Sequence, residues 1–513
     1  MLSMVKTMSL NGLQGHLIDV QTDITPGIPS FEIVGLPDTT VREAKERVKT
    51  AIKNSKALFP SKKIVINLAP ASVRKGGSSF DLPIAVGILL ATGLILPKIQ
   101  NTLYNTIFIG ELSLSGKINR VNGVLPMCIE ARNLGVKRVI LPAGNSYEAA
   151  VVKDLEIIPV KTLKEVVEYL NGRHEIQSTK VDLQAILRTN NKHDLDFADV
   201  KGQENVKRAF EISAAGGHNC LLIGSPGSGK TMLAKRITTI LPDLTFEEAL
   251  EITKIHSISG NLEGESLVNK RPFRAPHYTV SSTSLIGGGR IPKPGEISLA
   301  HYGVLFLDEL PEFDKNILEE LRGPIEEGQV TISRVVSTVT YPSNFMLIAS
   351  MNPCECGYYG SGIKKCTCTK NSVKKYLSKI SGPMLDRIDL HIEVKPVEYE
   401  KLDADIKRET SEKIKKRVDK ARKIQLERYK EFKIYSNAEL NPREIEKFCV
   451  LDEKSKKVLE GAFNKFGLSV RAHDKILKIA RTIADLDNSP NIKYKHLAEA
   501  IQYRSLDIKN IKI

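Results

Sequence analysis

The stretch "CLLIGSPGSGKT", from Cys220 to Thr231, constrains the fold more tightly than any other part of this chain. An apolar run stops at a glycine-rich turn, and the turn gives way to the helical pattern of "MLAKRITTI". Gly224, Gly229, Lys230 and Thr231 stand in the P-loop spacing, which demands a buried strand, a phosphate-sized loop and a helix N-terminus in that order. In such a loop the backbone from Gly224 through Ser225, Pro226, Gly227 and Ser228 to Gly229 curls around phosphates, and the helix end adds positive potential. Lys230 is placed to reach the β- and γ-phosphates and Thr231 to ligate Mg²⁺, so ATP with Mg²⁺ is the expected ligand.

A second element makes hydrolysis, and not binding alone, the expectation. "GVLFLDEL" is an apolar strand ending in Asp308 and Glu309. A carboxylate at the tip of a strand beside the P-loop strand holds the Mg²⁺ shell, and the next one orients the attacking water. Three polar residues follow. Asn352 ends the apolar strand "FMLIASMN", where its amide can sense the γ-phosphate or fix the water. Arg387 in "PMLDRIDL" and Arg471 in "LSVRAHD" are candidates for reaching a neighbouring subunit's nucleotide, since an arginine supplied in trans stabilises charge on the transferred phosphoryl group. Glu309, Asn352, Arg387 and Arg471 are thus the candidate catalytic residues.

At 513 residues the chain has room for roughly three domains. Residues 1–172 alternate strand-like runs such as "KKIVINLAP" and "VKRVILPAGN" with helical periodicity at "VREAKERVKTAIKNS". Residues 173–196 are polar and weakly periodic and read as a linker. Residues 197–395 carry the P-loop and continuous apolar strands, the mark of a parallel sheet covered on both faces. Residues 396–513 read as a charged helix and a helical lid; 401–430 hold twelve Lys or Arg against six Asp or Glu. The longest apolar run, Ile84 to Leu96, is too short for a bilayer and contains two glycines, so it reads as a buried helix and no membrane partner is expected. With no export signal, a reducing cytoplasmic setting is expected. The net charge of +15 favours an anionic partner, nucleic acid foremost.

Several stretches resemble the ComM-type (YifB), Mg-chelatase-like AAA+ ATPases. They are "FEIVGLPDTTVREAKERVKTAIKNS", "INLAPASVRKGGSSFDLPIAVGIL", the P-loop, "RPFRAPHYTVSSTSLIGGG", "PKPGEISLAHYGVLFLDELPEF", "SGPMLDRIDLHIEV" and "SVRAHDKILKIARTIADL". The resemblance implies an α/β fold with an AAA+ P-loop core and helical lid, preceded by a Lon-protease-like (ribosomal-S5-domain-2-like) α+β domain. It implies a homo-hexameric ring with ATP bound between subunits, Asn352 as sensor 1, Arg387 as arginine finger and Arg471 as sensor 2. It also implies action on single-stranded or branched DNA, as a helicase or branch-migration factor in transformation or recombination. The alternative is a chelatase- or chaperone-type ATPase that remodels a partner protein; the first domain is a further candidate docking site for a protein. In that domain Ser79 falls where the Lon nucleophile would lie, but Leu125 and Met127 occupy the segment where the activating lysine belongs, so a lost peptidase is expected.

The segment from Thr253 to Gly303 reads as an insertion, followed by a hairpin candidate in "GQVTISRVVSTVTYPSN". Arg271, Arg274 and Arg290 flank its polar stretches and are candidates for DNA-phosphate contact, with helix capping or subunit bridging as the alternative. His277 is followed by Tyr278, and no metal site is expected there. Cys354, Cys356, Cys366 and Cys368, four of the seven cysteines, form C-x-C-x₉-C-x-C in a Gly- and Lys-rich loop. Four soft ligands suit one tetrahedral Zn²⁺, with free or redox thiols as the alternative. Cys128, Cys220 and Cys449 sit in apolar contexts and read as core.

Overall fold

The computed structural model describes residues 1–96, 101–188, 194–262, 264–334, 337–362, 364–396, 408–432 and 434–504. Two sheets organise the chain. The first contains β1 (Leu2–Asn11), β2 (Gln14–Thr25), β3 (Ser30–Val34), β4 (Lys63–Ala69), β5 (Thr106–Phe108), β6 (Arg138–Pro142) and β7 (Glu156–Val160), in the order β3-β4-β2-β1-β5-β6-β7. β1 and β2 pair as an antiparallel hairpin, whereas β5, β6 and β7 run parallel. Helix α1 (Thr39–Asn54) starts where the Asp38 side chain accepts from the Val41 N–H at 2.8 Å, a cap worth about 1 kcal/mol. The apolar run Ile84 to Leu96, expected to be a buried helix, is helical only as far as Ala91: α2 (Asp81–Ala91) is buried except Leu90, whereas Leu94 and Leu96 lie past its end and are exposed. α3 (Val124–Asn133) buries Leu125 and Met127, and Ser79 lies in a short 3₁₀ turn, itself buried.

The linker of the sequence reading, 173–196, is not uniformly irregular: Leu183–Arg188 forms α4. The second sheet follows. Its strands are β8 (Cys220–Gly224), β9 (Phe273–Arg274), β10 (Val304–Leu307), β13 (Met346–Met351) and β14 (Leu390–Val394), in the order β9-β10-β13-β8-β14 and all parallel. A continuous apolar strand has no polar face to give to water, and β10 and β13 are accordingly buried at every position. Before β8 runs α5 (Glu204–Gly216), ended by Gly217 at φ 75°, a left-handed turn that a side chain would resist. After the P-loop come α6 (Lys230–Arg236) and α7 (Phe246–Ser259), the latter closed at its start by a reciprocal Thr245–Glu248 capping box. α7 extends six residues past the expected start of the insertion at Thr253. The expected hairpin is present as β11 (Gln329–Ser333) and β12 (Thr338–Pro342).

The C-terminal part packs onto this core. α8 (Ser411–Arg428) is charged overall, but Ile414, Val418, Ala421 and Gln425 recur on one face and are buried. α9 (Glu453–Phe466), α10 (Val470–Leu486) and α11 (Tyr494–Gln502) complete the lid, and their apolar faces share one hydrophobic core with α5 and β8. The N-terminal part also touches the P-loop part: Gly123 N, at the start of α3, donates to Ser257 O at 3.0 Å, and a Cβ on Gly12, in the β1–β2 turn, would collide with Val339 of β12. No helix among the described residues is long and apolar enough to cross a membrane.

Candidate nucleotide site

Parallel strands bring their C-terminal tips to one edge of a sheet, and that geometry assembles the site from distant sequence. Gly224 ends β8, Asp308 follows β10 and Asn352 follows β13. Gly227 and Gly229 hold φ of 75° and 87°, conformations that let the loop turn back on itself. A Cβ added at Gly227 would meet nothing within 4 Å, so the loop encloses open space. Ser225 and Ser228 keep buried hydroxyls without a protein partner, groups that phosphate oxygens can satisfy. Lys230 Nζ donates to Gly224 O at 2.8 Å, Ser225 O at 3.0 Å and Asn352 Oδ1 at 3.1 Å. Burial lowers the Lys230 pKa, against the pull of Asp308 and Glu309. Thr231 Oγ1 donates to Asp308 Oδ2 at 2.6 Å. An alkoxyl and a carboxylate side by side are the oxygen donors that suit Mg²⁺, which neutralises phosphate charge when bound.

Glu309 holds φ 55°, a left-handed conformation costly to a residue with a Cβ, and its side chain is exposed beside the loop. Ser350 was missed by the sequence reading. Its hydroxyl donates to Asp308 Oδ1 and so fixes the carboxylate; the only signal was a lone hydroxyl inside "MLIASM".

The two arginines lie elsewhere. Register pairs Cys220 with Leu390 and Gly224 with Val394, and Arg387 precedes Leu390 by three residues. It therefore sits at the opposite edge of the sheet from its own P-loop, beyond about 13 Å of strand. Arg387 is 8% exposed; its guanidinium pairs with Glu326 at 2.5 Å and donates to Pro383 O at 2.6 Å. Arg471, 63% exposed at the start of α10, stands 3.9 Å from Asp386. The structure thus groups Arg387 with Arg471 and separates both from Lys230. Neither Glu326 nor Asp386 carried a sequence signal.

Two of the three arginines expected on DNA are spent inside the chain. Arg271 is 15% exposed, pairs with Glu248 at 3.1 Å and donates to the carbonyls of Pro242 at 2.6 Å and Tyr302 at 2.7 Å. Arg274 grips Glu296 through two bonds of 2.6 and 2.7 Å. Pairs of this kind tie Arg271 to α7 and Arg274 to Glu296 within the insertion, and leave no fork for a phosphate. Arg290 is exposed, in the turn between Gly287–Gly288 and Lys293–Pro294. The Tyr341 hydroxyl of β12 donates to Pro292 O at 2.9 Å, so this turn and the hairpin are packed together.

The four cysteines of the loop after Asn352 converge: their sulfurs all lie within 4.8 Å of one another. Cys128, Cys220 and Cys449 are buried, as read from sequence.

The comparisons with known proteins bear on the whole length. Residues 196–402 match the family model for magnesium chelatase, subunit ChlI; residues 20–145 match a second, subunit ChlI of Mg-chelatase; residues 408–504 match its C-terminal model. The competence protein ComM of Haemophilus influenzae is 43% identical over 98% of both chains. The uncharacterized protein YifB of Escherichia coli is also 43% identical, over 99% of this chain and 97% of its own.

This chain belongs to the ComM-type, Mg-chelatase-like AAA+ ATPase family.

Membership extends to the first sheet and the lid, because the ComM and YifB matches run through both. The magnesium-chelatase subunit ChlI of Cyanophora paradoxa, at 23% identity, covers 44% of this chain.

Proposed function

We propose that this protein is an ATP-hydrolysing ring motor that acts on single-stranded or branched DNA, with its nucleotide sites completed between subunits. The observation that carries this reading is the placement of Arg387 and Arg471 at the sheet edge opposite Lys230. An arginine side chain cannot span the ~13 Å of strand between them. A cyclic arrangement of subunits brings the arginine edge of one to the loop edge of the next.

In each site Lys230 and the backbone from Gly224 to Gly229 hold the phosphates, Thr231 and Asp308 hold the Mg²⁺, and Asn352 fixes the γ-phosphate end. Glu309 accepts the proton of the attacking water. Arg387, released from Glu326, and Arg471 then meet the charge that grows on the neighbour's phosphoryl group.

DNA as the substrate is supported by the net charge of +15, by the relative named for competence, and by the exposed groups of the Arg290 turn and the β11–β12 hairpin packed against it. There Arg290, Lys293, Arg334, Thr331 and Thr340 are exposed. Basic and hydroxyl groups without aromatic stacking suit backbone contact and not base reading. The deciding measurement is the ATPase rate against a panel of linear and branched DNAs, with Glu309→Gln as the inactive control. Stimulation by DNA supports the motor; a rate indifferent to every DNA but raised by a partner protein would favour the chelatase-type reading.

A further inference from the structure

The loop from Pro353 to Thr369 contains no helix or strand among its described residues, and only Cys354 and Gly357 of them are buried. A segment of this length held by so little core needs another fastening. The sulfurs of Cys354 and Cys356 are 3.4 Å apart, those of Cys354 and Cys366 3.7 Å, and those of Cys356 and Cys366 3.5 Å; Cys368 falls within the same 4.8 Å cluster. A disulfide requires about 2.05 Å, so these are not half-formed bridges. Four thiolates at the usual ~2.3 Å from a zinc ion stand about 3.8 Å from one another, within a few tenths of an ångström of the separations among Cys354, Cys356 and Cys366. Cys354 Sγ also accepts from the Tyr359 N–H at 3.4 Å, an outer contact of the kind that orients metal-bound sulfur.

The position of the cluster gives it a consequence. Gly357, in the turn between the first and second cysteine pairs, has φ 85°, and a Cβ there would lie 2.5 Å from Pro226 Cδ. The backbone of the clip therefore rests directly on the phosphate loop. Asn352, which Lys230 contacts, is two residues before Cys354.

We propose that Cys354, Cys356, Cys366 and Cys368 bind one structural Zn²⁺, and that this zinc clip presses Gly357 against Pro226, so that metal occupancy sets the geometry of the nucleotide loop. The metal part stands on the sulfurs alone; the coupling part rests on the nucleotide reading above. Full-length protein purified without a metal-affinity tag should contain one zinc per chain by elemental analysis. Cys366→Ser/Cys368→Ser should lose it, and Co²⁺ in its place should show the visible bands of a tetrahedral thiolate site. Chelation should weaken binding of a fluorescent ATP analogue by about ten- to a hundredfold, the cost of a misplaced loop, and added Zn²⁺ should restore it. Gly357→Ala should keep the zinc and show the same weakening. Protein with neither zinc nor cobalt uptake overturns the site. Zinc that can be removed, or Gly357→Ala made, with no change in nucleotide affinity overturns the coupling. If the double cysteine variant does not fold, chelation and zinc return on the native chain decide. A chain that holds zinc but binds no ATP analogue in any state would refute the nucleotide reading while leaving the metal site standing.

Discussion

Glu309 is held at φ 55° beside a carboxylate that Ser350 and Thr231 both contact. Strain in a non-glycine residue persists only where the surroundings enforce it, and here it separates two adjacent acids into different roles. In the proposed mechanism Asp308 holds the magnesium and Glu309 accepts the proton of the attacking water. Glu309→Gln should therefore retain ATP-analogue binding and lose about 10²–10⁴-fold in turnover, measured by phosphate release. Lys230→Ala should lose binding itself. At the other sheet edge, Arg387→Ala should bind nucleotide normally and lose turnover by about 10³-fold or more. These residues were legible in the sequence because each motif fixes both residue type and offset. Ser350 and Glu326 were not, since a hydroxyl in a strand or an acid at a helix end gains meaning only from what folds next to it.

At the level of elements, the joint between sheet and lid is expected to respond to pH through one buried histidine. His218 lies fully buried between β8 and α10; its Nε2 meets Thr482 Oγ1 at 2.8 Å and its Nδ1 meets Asp389 at 3.4 Å. Burial outweighs the nearby carboxylate and lowers the His218 pKa, and Lys478 and Lys475, the latter paired with Asp389 at 2.7 Å, add to the lowering. A histidine whose folded pKa is depressed contributes stability that is present above its unfolded value near 6.5 and is lost as pH falls through that value toward the folded one. Denaturant unfolding should thus show lower stability at pH 5.5 than at pH 7.5, about 1.4 kcal/mol for each unit of pKa separation at the limit, with a shallower slope in His218→Gln. The hairpin element makes its own prediction. Arg290→Glu should weaken DNA binding and reduce its dependence on salt by about one counterion, whereas Arg274→Glu should destabilise the fold by setting two acids against each other. Titration of DNA binding across salt concentrations and thermal unfolding separate the two outcomes.

The whole molecule is a chain of contacts in which the N-terminal part touches α7 and the hairpin, and the lid shares one core with the ATPase sheet. Its proposed unit of function is larger than one chain. Lys230→Ala and Arg387→Ala variants, each inactive alone, should regain turnover when mixed, because about a quarter of the interfaces in a random ring pair an intact loop with an intact arginine. Light scattering should show a ring-sized particle with ATP present. No recovery on mixing and a monomer throughout would refute the shared site.

The sequence alone determined the phosphate-loop turn and the parallel sheet around it, because P-loop spacing and continuous apolar strands are local patterns with few structural solutions. It could not decide which arginines are free. Arg271, Arg274 and Arg290 look alike along the chain, yet two meet carboxylates brought from 22 and 23 residues away and the third projects from a turn. Nor could it place Arg387 across the sheet from Lys230, or Gly357 on Pro226, since both depend on strand register and loop packing. Local pattern fixes what a residue can do; long-range packing fixes what it is left free to meet.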